Sequence, residues 1–543
     1  LRDRLGAAST LQTFSVNTRF YPDKFLPSSW GITTPVSVNY SNNVSSPKYY
    51  QGTDILAGNY QTVPDSIQGI TKNLTINTSY RKTTKSDNWW MKYTLDNFSI
   101  SNLTATYKFS SDESTLSDRT EKYGGNAVYK LNFGDNYIKP FTKLEKTPVI
   151  GNFISDVRLY WTPKSFESSM TMNLEDKVKE TRAGNITETP KFNMTRKFKL
   201  NYQFTKSINS TYNKTINSDL LDYFDNKTGF IADMNPGRVK DISESLGNSF
   251  NPDFMKWLKP RVTYNTSYSW SRPNQTSPVS VSSNSESSFN STLNIRNLIE
   301  QYYTPAGGSS SSRSGRGTNR NSRRQQQPKK KKEIKNPIIL AIVKPLHTVS
   351  TKISNIQITY KNQWQHQYGG YEGAPGLLFK LGLDGNPNMP AYADTTTNQS
   401  FTHQYTKNLS ANTTLSLTQK LSASVKFTYD HRLNQQYNQQ DEIVKSSSFL
   451  PLGDRGSDGF PMFTWNVNWS GIEKFGFLKN IFRSMSLSHT FQGEHSSRYE
   501  GDDIQSSDYS MQFSPLIGIN TKTKGEKPID MTMSLKHTLN IRH

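Results

Sequence analysis

The sequence predicts an all-β protein: a large antiparallel transmembrane β-barrel with long loops and one disordered basic loop. Three observations predict it. Apolar and polar residues alternate along many separate runs. Many runs reach eight to thirteen residues, where ordinary strands have about five or six. The chain is polar, with 33% hydrophobic residues and a mean hydropathy of −0.74, yet 12% of it is aromatic.

The alternation is clearest in 70–80, where Ile70, Leu74, Ile76 and Tyr80 share one parity and Asn73 and Asn77 fall on the other. In 192–204, Phe192, Met194, Phe198, Leu200, Tyr202 and Phe204 share a parity opposite Lys197, Lys199, Asn201 and Gln203. The pattern returns over 421–429, 463–469 and 531–541, with similar runs near 13–20, 36–40, 103–109, 127–133, 166–174, 262–270, 356–360, 409–417 and 485–491. A period of two sends successive side chains to opposite faces of a strand. A strand that crosses a bilayer at a tilt needs about 9–11 residues. One lipid-facing side and one water-facing side explain how so few apolar residues suffice. The expected lumen-facing positions are therefore Asn73, Asn77, Lys197, Lys199, Asn201 and Gln203. The runs predict roughly 16–20 strands on ordinary barrel dimensions.

Aromatic residues at run ends, such as Tyr49, Tyr50, Trp89, Trp90, Trp257, Tyr302 and Tyr303, suit the headgroup boundary. The long turns 225–256 and 369–400 are read as loops on one side of a barrel. A string of soluble sandwich domains would show shorter strands and turn signals every 8–12 residues. No apolar run approaches the roughly 20 residues of a spanning helix; the best is Ile338 to Val343. The chain starts at Leu1 without a charged-then-apolar leader, and is read as a portion of something longer or a processed product.

Net charge is +21. Residues 309–336 hold ten cations and one acid, so +9 of that total sits there. They include Arg313, Arg316, Arg320, Arg323, Arg324, Lys329, Lys330, Lys331 and Lys332. Rich in Ser, Gly and Gln, the segment cannot offset its ordering entropy and is expected to be a disordered loop. It divides one continuous barrel domain into a first set of strands, 1–308, and a second, 337–543. Lipopolysaccharide phosphates are one acidic partner it would suit. No recognisable nucleic-acid module accompanies it, so nucleic acid is not expected as a partner.

Chemistry is sparse. There is no Cys, no HExxH pair, no nucleophile elbow and no phosphate loop. His489 and His495 flank Glu494, and Asp502–Asp503 follow Gly501, but neither has metal-ligand spacing. No catalytic residue, metal or cofactor is expected, and the chain is read as a non-enzyme.

Several motifs, in order, resemble one family. Segment 25–56, FLPSSWGITTPVSVNYSNNVSSPKYYQGTDIL, contains Leu26, Pro27, Trp30, Pro35, Pro47, Tyr49 and Asp54. Then come Trp90 with Tyr93 and Asp96-Asn97-Phe98, the stretch with Pro140-Phe141, Phe153, Asp156, Pro163 and Ser165, the run TRKFKLNYQFTKSI, and Tyr371, Gly373, Pro375 and Gly376. Together they resemble the later barrel of the SprA family, giant outer-membrane translocons of the type IX secretion system that also support gliding motility. The likeness covers most of 20–385. The order around Glu180 and Arg182, the high charge and the 309–336 loop depart from it. The resemblance implies that the chain is part of a giant single-chain, protein-conducting barrel in the cell outer membrane, with outer-membrane lipid, folded secreted cargo, a PorV-type barrel and a plug protein as partners. Two alternatives stand beside it: another outer-membrane barrel, porin-like or for lipopolysaccharide export, and a secreted β-rich cell-surface adhesin.

Overall fold

A computed structural model describes residues 9–50, 55–58, 63–142, 157–252, 257–302, 337–392, 399–450, 460–461 and 463–542. The chain is all-β. Its first half supplies β1 (Ser9–Phe20), β2 (Ile32–Thr33), β3 (Val36–Pro47), β4 (Gly69–Lys82), β5 (Phe98–Ser111), β6 (Thr115–Asn132), β7 (Tyr137–Ile138), β8 (Leu159–Tyr160), β9 (Ser165–Thr181), β10 (Ile186–Glu188), β11 (Lys191–Thr205), β12 (Ile208–Asp219), β13 (Arg238–Phe250) and β14 (Leu258–Ser271). The second half adds β15 (Val279–Leu293), β16 (Ile356–Tyr371), β17 (Ser400–Ser416), β18 (Leu421–Gln436), β19 (Glu442–Leu450), β20 (Phe460–Pro461), β21 (Thr464–Ser470), β22 (Phe482–Glu500), β23 (Asp503–Thr523) and β24 (Asp530–Arg542). Short helices α1 (Trp89–Tyr93), α2 (Gly229–Ala232), α3 (Ile295–Tyr302), α4 (Pro337–Ser350), α5 (Leu377–Lys380) and α6 (Leu478–Ile481) lie in the connections. Ile338–Val343 falls within α4, and no described helix is long and apolar enough to cross a membrane.

Apart from the small β7–β8 hairpin, all strands join one 22-stranded antiparallel sheet. Four of the 22 continue another strand's course. Pro35 separates β2 from β3, and Pro190 separates β10 from β11; in each case a missing N–H breaks the ladder. β19, β20 and β21 share the place between β18 and β22. Eighteen positions across the wall remain, within the expected range. Each pairs with its predecessor and successor in the chain, from β1–β3 through to β23–β24. Among the described residues no pairing joins β1 to β24, and both strands are exposed along nearly all their length.

Register carries the alternation from strand to strand. Leu74 opposes Tyr40 and Tyr107, Met172 opposes Gly125 and Met194, and Trp465 opposes Val425 and Phe491. One face of the wall is therefore mainly apolar and the other polar, the two-sided pattern of a transmembrane barrel wall.

Connections alternate between the wall's two ends, called here the Phe20 end and the Ser9 end after the residues of β1. At the Phe20 end lie 21–35, 83–97, 133–164, 206–207, 251–257, 294–355, 417–420, 471–481 and 524–529; at the Ser9 end lie 48–68, 112–114, 182–185, 220–237, 272–278, 372–399, 437–441 and 501–502. Long connections thus occur at both ends, not on one side as expected. The expected loop 225–256 is corrected too, because β13 occupies its middle. Its stripe of Ile242, Leu246 and Phe250 is broken by Glu244 and Asn248, which hid the period.

The two buried clusters sit on the apolar face under Ser9-end connections. Leu174, Phe192 and Met194 lie beneath Leu220 and Phe230. Tyr268, Val279, Val281 and Tyr368 lie beneath Phe379 and Met389, so residues 372–392 form a flap over β14–β17. Phe379, 1% exposed, points inward, while Leu377, Leu378 and Leu383 point outward. Phe379→Ala removes the flap's anchor and should weaken its docking by roughly 3–5 kcal/mol. The expected outcome is rapid proteolytic nicking between 372 and 399 with the strand content unchanged by circular dichroism.

Candidate functional site

The polar face is the largest chemically uniform surface of the molecule. Asn73 and Asn77 of β4 oppose Ser41 and Ser37 on one side and Lys108 and Thr104 on the other. Lys197, Lys199, Asn201 and Gln203 of β11 oppose Thr215, Asn213, Thr211 and Asn209. All six predicted positions share this face. It continues through Ser245, Asn265, Asn284, Gln365, Gln404 and Asn434 to Asn466, Thr490, Gln512 and Thr538.

Side chains on this face bind one another across strands. Asn201 Nδ2 donates to Ser165 Oγ at 2.8 Å while its Oδ1 accepts from Thr211 Oγ1 at 3.2 Å, tying three strands together. Thr195 Oγ1 donates to Asn217 Oδ1 at 2.8 Å, and Asn466 Nδ2 to Thr490 Oγ1 at 2.7 Å. The hydroxyls of Thr263 and Ser288 share a hydrogen bond at 2.6 Å. Some charges are matched, as in Lys122–Glu175 at 3.0 Å and Lys361–Glu286 at 2.8 Å. Exposed pairs of this kind add only about 0–1 kcal/mol each, so they tune the surface rather than hold the sheet. Small side chains leave a hollow of about 530 Å³ over β12–β16, lined among others by Asn213, Ser245, Gly247, Asn265, Asn284 and Gln363. Such a wall has few strong anchors for an apolar visitor.

The apolar face carries exceptions. Glu244 lies on it, held by Lys214 Nζ at 3.0 Å and by Tyr212 Oη, which donates at 2.8 Å. The flap answers others: Ser283 Oγ donates to the Phe379 carbonyl at 2.7 Å and Tyr264 Oη to the Leu381 carbonyl at 2.5 Å. One weak sign of this cover is legible in the residues: Val279 and Val281 are followed on the same parity by Ser283 and Ser285.

The family-motif positions do not converge. Leu26, Pro27, Trp30 and Pro35 shape the first Phe20-end connection, and Trp90, Asp96, Asn97 and Phe98 shape the second. These two connections do meet. The Gly31 carbonyl, at a φ of +59° that favours glycine, accepts from Thr83 N at 2.8 Å and Thr83 Oγ1 at 2.9 Å. Asp96 is gripped by Lys82 Nζ and by Ser86 N and Oγ. Burial works against its charge, but these hydrogen bonds and the Lys82 ammonium hold its pKa below the ordinary value. Pro163 precedes β9 at the same end. Pro47 and Tyr49 lie at the Ser9 end, as do Pro375 and Gly376, which lead into α5. Asp54 and the basic residues Arg313, Arg316, Arg320, Arg323, Arg324, Lys329, Lys330, Lys331 and Lys332 lie outside the described residues. Among the described residues no group of three or more acidic or His side chains could hold a metal ion.

No family model and no curated protein matches the chain. Among solved structures, the copper transporter OprC aligns with 98% of this chain and 79% of its own at 7% identity and a TM-score of 0.17. A superposition that loose transfers neither a detail of fold nor a ligand.

The two faces respond differently to charge. Leu74→Arg on the apolar face should destabilise the wall by about 2–4 kcal/mol, whereas Asn73→Arg beside it should stay within about 0.5 kcal/mol; urea unfolding of the full-length protein in lipid vesicles reads both. Asp96 makes the 83–97 connection acid-sensitive. Its contribution is complete above the unfolded-state pKa of about 3.9 and is lost as pH falls through the lower folded value. Proteolysis of 83–97 should therefore accelerate below about pH 4, and Asp96→Asn should be cut readily at every pH.

Proposed function

We propose that this chain is a wall segment of an outer-membrane protein-conducting channel of the SprA type, passing folded cargo to the cell surface. The observation that carries the reading is the unbroken polar face across eighteen strand positions, backed by an apolar face suited to lipid. At about 4.8 Å per strand, those positions span roughly 86 Å of wall. Eighteen strands closed on themselves would make a barrel of porin size, so the wider, protein-conducting opening rests on the SprA resemblance. The order of the Leu26–Asp54, Trp90–Phe98, Pro163 and Pro375–Gly376 motifs supports the SprA assignment.

The proposed mechanism is passive. Many of the Asn, Ser and Thr side chains pair with one another laterally, so a passing protein mostly displaces water instead of replacing strong protein–wall bonds. Selection and energy then reside elsewhere, in the connections and in the partners the resemblance implies: a PorV-type barrel, a plug protein and cargo-borne sorting signals. The wall itself acts as a conduit and performs no covalent chemistry.

The test is secretion by cells whose full-length protein lacks this region. Cargo is expected to accumulate in the periplasm. Undiminished secretion sinks the proposal, and a lost small-solute conductance with secretion intact would point to a porin-like barrel.

A further inference from the structure

The topology sorts the connections into two groups, and their charges differ. Counting only described residues, the Phe20-end connections hold 15 Lys and Arg against 7 Asp and Glu, or +8. The Ser9-end connections hold 5 against 10, or −5. Tryptophan is sorted in the same way: Trp30, Trp89, Trp90, Trp161 and Trp257 lie in Phe20-end connections, and none lies in a Ser9-end connection. Trp30, Trp89, Trp90 and Trp161 are between 52% and 72% exposed.

The two features coincide locally at 417–420 and 471–481. Gly471, at a φ of +78°, brings the turn so close to Lys420 that a Cβ there would meet the lysine side chain at 2.6 Å. Desolvation and the neighbouring Lys474 ammonium hold Lys420 below its usual pKa. The Glu473 carboxylate, which accepts from Met485 N at 2.9 Å, already lies near both ammonium groups, and a phosphate would add a second, exchangeable anion. Beside them Phe475 and Phe477 are 58% and 72% exposed, and Phe475 packs edge-on against Trp469 at 6.0 Å. Paired cations next to protruding rings match a phosphorylated lipid, with phosphate at the ammonium groups and acyl chains at the rings.

We propose that the Phe20 end docks on the phosphate layer of the lipopolysaccharide leaflet, and that this mouth therefore opens at the cell surface while the acidic Ser9 end faces the periplasm. The inference rests on the outer-membrane reading and adds an orientation and a lipid contact to it. Surface potential attracts such cations only within about a Debye length, so the docking is salt-sensitive.

This chain has no Cys, so any Cys elsewhere in the full-length protein is first replaced by Ser. Single substitutions Gln419→Cys and Glu526→Cys at the Phe20 end, and Ala183→Cys and Asp502→Cys at the Ser9 end, are placed in the full-length protein. Intact cells are treated with a membrane-impermeant maleimide, then permeabilised and treated again. The first pair is expected to label in intact cells and the second only after permeabilisation. The reverse pattern overturns the orientation and leaves the membrane wall standing. Labelling of all four in intact cells, with the protein in the aqueous phase, overturns the membrane reading as well. Separately, the purified full-length protein is mixed with vesicles of phosphatidylcholine with or without lipopolysaccharide. The triple variant Lys420→Glu, Lys474→Glu, Lys479→Glu should lose the lipopolysaccharide-dependent binding by about tenfold or more, while Lys227→Glu at the Ser9 end should leave it unchanged. Equal binding by both variants overturns the lipid contact.

Discussion

Everything in this molecule follows from the need of a peptide backbone to pair its N–H and C=O groups where water is scarce. A single antiparallel sheet meets that need strand by strand. Once the ladder is fixed, the pleat gives each residue only one of two directions, and the sequence assigns apolar groups to one and Asn, Ser, Thr, Gln and Lys to the other. The polar face is thus not a site assembled from distant residues. It is the second half of a pattern whose first half is an apolar surface suited to lipid.

The pattern is not perfect, and its imperfections are covered. Glu244 would be costly on an apolar surface if left alone, and Lys214 with Tyr212 surrounds it. Ser283 and Tyr264 would point hydroxyls outward, and the 372–392 flap turns its own carbonyls toward them. The flap then presents Leu377, Leu378 and Leu383 outward, so apolar character is restored one layer further out.

Much of this was legible in the residues. Runs such as 70–80 and 192–204 declare both strand and face, because neither parity is mixed. β12, β13, β15 and β19 are hidden where Ser, Asn, Lys or Glu take apolar positions, as in the Ser283, Ser285 and Ser287 sequence of β15, and β23 is interrupted by a register shift between Phe513 and Ile517. Nothing local could reveal why those serines are tolerated, since their cover comes from residues about a hundred positions later. The sidedness of the connections was equally invisible. It depends on counting every strand, and overlooking β13 alone reverses all that follow. The motif residues marked connection geometry rather than a common centre, with Gly31 tying the first Phe20-end connection to the second, Asp96 bracing the second from within, and Pro375 standing at the opposite end.

The strictly neighbour-to-neighbour order of the wall has a consequence for biogenesis. A sheet in which each position touches only the preceding and following ones can grow by successive hairpins, with no strand waiting for a distant mate. At every stage a single advancing edge needs shelter from unwanted pairing. A machine that guards one seam can therefore raise a wall of any width, and width becomes a matter of how many hairpins the gene encodes.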